Sequence, residues 1–337
     1  MSVLSKLKPT PVFDSYLSFA VERQNIFWKR LQGKAFPWTN DSILSNWKFT
    51  NTYRVLDRVS QYLVSEVIGR SEQSIEDLFF RIILFKIFNR IETWQLLERE
   101  LQEISWRTYD FARYDAVLSR AKNSLVPIYS MAYVMPSPGT VFSEARKHQN
   151  HLRLIEFLFA NRVPHKIANA KSMQEVFETL RQCPSFGNFL AFQYAIDLNY
   201  SDIIDFSEMD FVVAGPGAKD GIAKCFEHKA DYTSEAIIEI VTKNLDVLFD
   251  SAGLKFNNLY GRPLQLIDCQ NIFCEISKYA RIAYPEYQGV SGRTRIKQKY
   301  KTAQSALPPV ALPPKWGLGL KNEDINSDKN VRMELLK

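Results

Sequence analysis

From Phe13 to about Ala283 the apolar residues recur at helical spacing, and the strict alternation that marks half-buried strands is scarce. Leu56, Val59, Leu63 and Val67 form one amphipathic stripe. Ile75, Leu78, Phe79, Ile82 and Ile83 open a second, more apolar helix, whose start is marked by Ser74 with Asp77 three residues on. The same spacing predicts helices at about 109–122, 143–159, 172–183, 189–198, 221–229 and 235–251, and another within 264–283. The uncharged run 123–143 is long enough to span a membrane, but Pro127, Pro136, Pro138 and Gly139 break any helix through it, so it reads as a buried crossing loop. The pattern predicts an all-α protein without internal repeats.

Composition adds the boundaries. With 46% hydrophobic and 24% charged residues in 337, the chain can bury a real core, which excludes a disordered, collagenous or disulfide-held protein. Past Pro285 the sequence turns to SGRTRIKQKYK, LPPVALPPKWGLGL and a polar end, which predicts a helical body over 1–285 and a basic, proline-containing tail over 286–337, draped on the body or free. Of the net charge of +6, the tail's ten Lys/Arg against five Asp/Glu supply +5. Such a local excess suits sequence-independent contacts from Arg293, Arg295 and Lys297 to DNA, and equally a solvated tail. Cys183, Cys225, Cys269 and Cys274 show no metal-binding spacing, so a metal is not expected and reduced thiols in a cytoplasmic protein are. The N-terminus lacks the apolar core of a signal peptide, and no membrane association is expected.

Three constellations carry candidate chemistry. In FVVAGPGAKDGIAKCF, Gly215, Gly217 and Gly221 allow backbone N–H groups to approach a phosphate at the start of a helix, with Lys219 beside them. A plain interhelical turn fits the same residues. The spacing GxGxxxG is neither a dinucleotide fingerprint nor the GxxxxGK[ST] loop, so phosphorylation by this chain alone is not expected. In LQLIDCQNIFCEISKYARIA, Asp268, Asn271, Glu275 and Lys278 share one polar stripe, with Gln270 next to it. Asp268 is there either a helix cap or a carboxylate facing a cleft. In WKFTNTYRVLDRVSQYL, Asn51, Arg54, Arg58 and Gln61 step along one face as candidates for phosphate or base recognition, with Asp57 as a partner for an arginine. His148 and His151 form an HxxH without companion carboxylates, and Trp28, Trp38, Trp47 and Trp94 include candidates for stacking on an extruded base.

FTNTYRVLDRVSQYL, FRIILFKIFNRIETW, NFLAFQYAIDLNYSD, AGPGAKDGIAK and LIDCQNIFCEISKY, in that order, resemble the α-glutamyl/putrescinyl thymine pyrophosphorylase family, also seen as the helical domain of hydroxymethyluracil DNA kinases. The resemblance spans about 13–283. It implies a bilobal, helix-hairpin-helix DNA glycosylase-like fold, in which Gly215, Gly217 and Gly221 match the phosphate-binding hairpin and Asp268 with Gln270 the catalytic aspartate motif. Lys219 falls where bifunctional glycosylases carry an amine nucleophile, although 49 residues separate it from Asp268 and Gln270 replaces a histidine.

The expectation from these readings is a DNA glycosylase of antiviral defence, without cofactor or obligate protein partner, acting on double-stranded DNA with modified bases. It extrudes a bulky base and cuts its glycosidic bond, with Asp268 as catalyst and Gln270, Glu275 and Lys278 shaping the pocket. Two alternatives stay open. One is an amine or amino-acid transferase acting on an activated hydroxymethyl pyrimidine in DNA, and the other is a reader of modified bases without catalysis.

Overall fold

The computed structural model describes residues 4, 6–69, 74–301 and 307–318. Among them are fifteen α-helices and one two-stranded sheet, so the protein is all-α, as the periodicity predicts.

Local sequence explains where the principal helices begin and end. Pro11–Leu31 starts at Thr10, whose hydroxyl accepts the Val12 N–H at 3.2 Å, and has Pro11 in its first turn, Asp14 near its positive end and Lys29 and Arg30 near its negative end. Ile75–Phe88 is capped by Ser74, which accepts the Asp77 N–H at 3.1 Å, and stops where Asn89 turns left-handed at φ 48°. Leu266–Ala283 is the axis of one group of helices, formed with Pro11–Leu31, Pro216–Cys225 and Ser234–Lys243. Ile75–Phe88 is the axis of another, formed with Lys147–Ala160, Val163–Ala168 and Asn188–Leu198. The short 3-10 turn Arg54–Leu56 leans on Leu266–Ala283 and reaches across to Asn188–Leu198 through the Arg54 side chain.

Several elements depart from the spacing. The helix expected from 143 starts at Lys147, because Ser143 is left-handed at φ 56° and ends the short helix Gly139–Phe142. The one expected at 221–229 starts at Pro216 and ends at Cys225, where Phe226–His228 turns extended and pairs antiparallel with Lys8–Pro9. Asn244 divides the one expected at 235–251 into Ser234–Lys243 and Leu245–Ser251. The predicted buried loop at 123–143 is largely at the surface: Leu125 and Met131 are each 90% exposed, while Ile128 and Met135 anchor it. No described helix is long and apolar enough to cross a membrane.

The segment past Pro285 lies along the body as far as it is described. The Lys48 N–H donates to Gln298 O and the Tyr300 N–H to Asn46 O, with Ile296 buried beneath. Gln61 exchanges two hydrogen bonds with the Ala311 backbone, and the Trp316 ring packs under the Arg262 guanidinium at 3.7 Å. The polar end of the predicted tail lies outside the described residues.

Candidate functional site

Where the two groups of helices meet, charge is buried. Asp197, fully enclosed in Asn188–Leu198, contacts Arg54 Nη1 at 2.8 Å and Lys86 Nζ at 3.2 Å. Arg54 Nε donates to Gln193 Oε1 at 3.0 Å and Nη1 to the Tyr200 hydroxyl at 3.3 Å, while Lys86 Nζ donates to Asn89 Oδ1 at 2.9 Å. Burial opposes the Arg54 charge, but Asp197 and Tyr200 more than offset it and hold the guanidinium pKa well above its usual value. Burial lowers the Lys86 pKa, and Asp197 resists that fall.

An aromatic and polar layer adjoins this triad. Lys86 Nζ lies 5.3 Å from the Tyr133 ring centre, and Tyr133 stacks on Phe189 with ring centres 5.7 Å apart. A side-chain carbon on Gly215 would lie 2.7 Å from Phe189 and 3.0 Å from Gln270 Oε1, so these three residues share one spot. Gln270 accepts the Gly215 N–H at 3.2 Å and donates to Asn271 Oδ1 at 2.7 Å. Asp57, half-buried, accepts the Asn51 N–H at 2.8 Å. Burial pushes its carboxyl pKa up to about 6, with the nearby Glu275 adding to the rise and Asn51 and Arg23 opposing it. A half-buried carboxyl raised to about 6, with Arg23 and Arg54 near it, suits proton acceptance from a bound hydroxyl. Two surface depressions, of about 460 Å³ around Glu22, Trp38 and Asp41 and about 470 Å³ around Lys166, Ser172 and Gln182, include none of these residues.

The expected site residues are only partly brought together. Asp268 faces no cleft. It is buried, Oδ1 accepts the Arg54 N–H at 2.8 Å, and Oδ2 accepts the Gln265 N–H at 3.0 Å. Both oxygens thus fix backbone, closing the start of Leu266–Ala283 and clamping Arg54 onto it. Burial raises its carboxyl pKa to about 7, with Glu208 adding to the rise. Glu275 accepts the Thr50 N–H at 3.0 Å and pairs with Lys278 at 2.7 Å, whose Nζ also donates to Lys48 O. The pair fastens the 48–50 strand of loop to the helix.

The expected face of Asn51, Arg54, Arg58 and Gln61 is dispersed, because the chain between Asn51 and Asp57 is a loop and a 3-10 turn rather than α-helix. Asn51 Nδ2 donates to Leu56 O, Arg54 is buried, Arg58 is exposed beside Glu92, and Gln61 holds Val55 and Ala311. Gly217 and Gly221 lie inside Pro216–Cys225 rather than in a hairpin. They permit close helix crossing: an added carbon would collide with Cys274 Sγ at Gly217 and with Phe273 O at Gly221. Lys219 is exposed on the same helix, and Arg293, Arg295 and Lys297 are exposed on the segment beyond 285.

His148 contacts Asp115 at 2.8 Å, while His151 contacts the Tyr129 hydroxyl and Pro136 O, each at 2.9 Å; no metal-binding cluster occurs among the described residues. Trp94 is core, whereas the Trp28 and Trp38 indole N–H groups bond backbone carbonyls. The stacked pair is Tyr133 and Phe189, which sequence reasoning missed together with Lys86, Gln193 and Asp197. One signal was present: Lys86 and Asp197 are single charges within the apolar runs IILFKIF and NFLAFQYAIDL.

The sequence comparison defines the class. A family model described as "5-hmdU DNA kinase, helical domain" matches residues 10–289, and the chain belongs to that family. A protein of Bacillus phage SP10 named 5-hmdU DNA kinase is 30% identical over 287 residues, covering 80% of this chain and 45% of the relative. This chain therefore spans less than half the length of the curated relative it matches. No solved structure matches.

These matches overturn the expectation of a glycosylase, and with it the hydrolase and antiviral assignments. The family is named for transfer to a modified base, which leaves the glycosidic bond intact. Asp268 is also buried with a backbone N–H on each oxygen, so it fixes structure where the expectation had a carboxylate facing a cleft.

Proposed function

We propose that this chain is the base-holding body of a group transferase that works at the 5-hydroxymethyl group of a pyrimidine in DNA. The observation that carries this reading is the match of residues 10–289 to the helical domain of the 5-hmdU DNA kinase family. The site chemistry supports it. Tyr133 and Phe189 offer a stacking platform, and Asp57 serves as acceptor for the hydroxymethyl proton. In phosphoryl transfer, that oxygen forms a bond to phosphorus, the donor's bridging oxygen leaves with its electron pair, and the proton passes to Asp57. The donor phosphates need a cradle other than a GxxxxGK[ST] loop, because this sequence contains none.

That lack favours a second reading, displacement of phosphate from an already phosphorylated hydroxymethyl carbon by an amine. A C–N bond forms there while the C–O bond breaks. Both readings are tested by incubating the protein with oligonucleotides carrying thymidine, 5-hydroxymethyldeoxyuridine or its phosphorylated form, with ATP or with amino acids, then weighing the nucleosides. Expected are preferential binding of the hydroxymethylated strand, a substituent gained only by the modified nucleoside, and no free base. Asp57→Asn is expected to keep binding and to lose about a hundredfold or more in turnover. Release of free 5-hydroxymethyluracil, or equal binding of all three strands without product, overturns the proposal.

A further inference from the structure

Ten large apolar side chains are exposed among the described residues; four of them, Leu125, Val126, Met131 and Val134, fall in one loop, and a fifth, Val141, in the short helix Gly139–Phe142 that follows it. Leu125 and Met131 protrude furthest, each 90% exposed. The loop beneath them is firmly held. Thr93 Oγ1 donates to Ile128 O at 2.9 Å, the Ser130 N–H to Phe88 O at 2.9 Å and Asn89 Nδ2 to Ala132 O at 3.3 Å. His151 joins the Tyr129 hydroxyl to Pro136 O. Fixed exposure of apolar side chains opposes solubility, and a rigid loop has no folding need for it.

Leu125 adds an independent observation. It follows the helix Phe111–Asn123 in a Schellman turn, with the Leu125 N–H bonded to Lys122 O and the Val126 N–H to Ala121 O, at φ 58°. Glycine is favoured at that position, since leucine there carries backbone strain. This sequence instead keeps a leucine whose side chain points into solvent.

The surroundings select the partner. Lys147 lies over the Tyr129 ring at 4.7 Å, and burial together with the Lys122 charge lowers its pKa, so the two cations are close neighbours. Arg146 precedes Lys147 in the chain, and the nearby acids are engaged: Asp115 with His148 and Gln149, Glu144 with Arg153. Two residues after Met131 the same loop supplies Tyr133 to the stack with Phe189. An apolar tip flanked by cations and joined to a stacking platform is complementary to a nucleic-acid duplex.

We infer that the 125–134 loop is a wedge for double-stranded DNA, with Met131 and Leu125 filling the gap left when a base swings out toward Tyr133 and Phe189, and Lys122, Arg146 and Lys147 on the flanking phosphates. The inference rests on the proposed handling of a base in DNA. It is tested with a duplex carrying 2-aminopurine beside 5-hydroxymethyldeoxyuridine, which brightens on unstacking, and with the matching single strand, which needs no wedge. The wild-type protein brightens the duplex. L125G and M131S each reduce the brightening, and the double variant abolishes it and binds the duplex about tenfold more weakly. Single-strand affinity stays unchanged, and the thermal midpoint of L125G is equal or higher because the left-handed strain is gone. Undiminished brightening by the double variant overturns the wedge and leaves the base-holding reading intact. Failure of the wild-type protein to bind either modified DNA overturns that reading and the wedge with it.

Discussion

Asp268→Asn separates a structural from a catalytic role for the residue that the sequence singled out. The carboxyl pKa is about 7 in the fold against an ordinary 3.8, because burial and Glu208 disfavour its charge more than the Arg54 and Gln265 N–H groups favour it. A carboxyl raised in this way holds its proton in the folded state after the unfolded chain has released it, so stability falls as pH rises from about 4 to 7. Three pKa units correspond to about 4 kcal/mol, of which about 2 kcal/mol falls between pH 5 and 7. Asparagine cannot ionise, and its single oxygen leaves one of the two N–H groups without its acceptor, a cost of about 1–3 kcal/mol. Urea unfolding of both proteins at pH 5, 6, 7 and 8 reads the difference. The variant is expected to be the less stable at pH 5, with the deficit shrinking by about 2 kcal/mol toward pH 7. A deficit that is constant across the series refutes the buried, proton-holding carboxyl.

Three further outcomes follow from the packing. Arg54→Met leaves Asp197 with Lys86 alone and is expected to cost about 3–5 kcal/mol in chemical unfolding, with Arg54→Lys no full rescue because one ammonium cannot reach Asp197, Gln193 and Tyr200 together; a loss below about 1 kcal/mol contradicts a buried Arg54–Asp197 pair that holds the fold. Gly217→Ala drives a carbon into Cys274 Sγ and is expected to lower stability by about 1–3 kcal/mol, part of which Cys274→Ala restores; a double variant no more stable than the single one removes the close crossing as the reason for glycine. Replacing Arg293, Arg295 and Lys297 by glutamine is expected to spare the thermal midpoint, since all three are exposed, and to reduce the salt dependence of DNA binding by up to about three counterions; an unchanged slope assigns the basic strip no phosphates.

Sequence alone determined the helical class and much of its punctuation. Helical spacing is a local property, and so are caps such as Ser74 and first-turn prolines such as Pro216, so both are written within a turn or two of where they act. Five short motifs also sufficed to suggest the hydroxymethyluracil kinase helical domain, whose family model then matched. The site was less legible. Asp268 reads from its stripe as either a helix cap or a carboxylate in a cleft, and its two oxygens are claimed by the N–H groups of Gln265, which is local, and Arg54, which lies 214 residues away. The glycines read as a phosphate grip or a plain turn because the sequence does not show Phe273 and Cys274 lying against them. Lys86, Tyr133 and the helix that carries both Phe189 and Asp197 come from three stretches of one helix group, and Arg54, Gly215 and Gln270 reach them only when the other group packs against it. Local hydrogen bonding and periodicity thus set the helices, whereas burial of charge and the meeting of distant side chains, which depend on how those helices pack, decided what the polar residues are for.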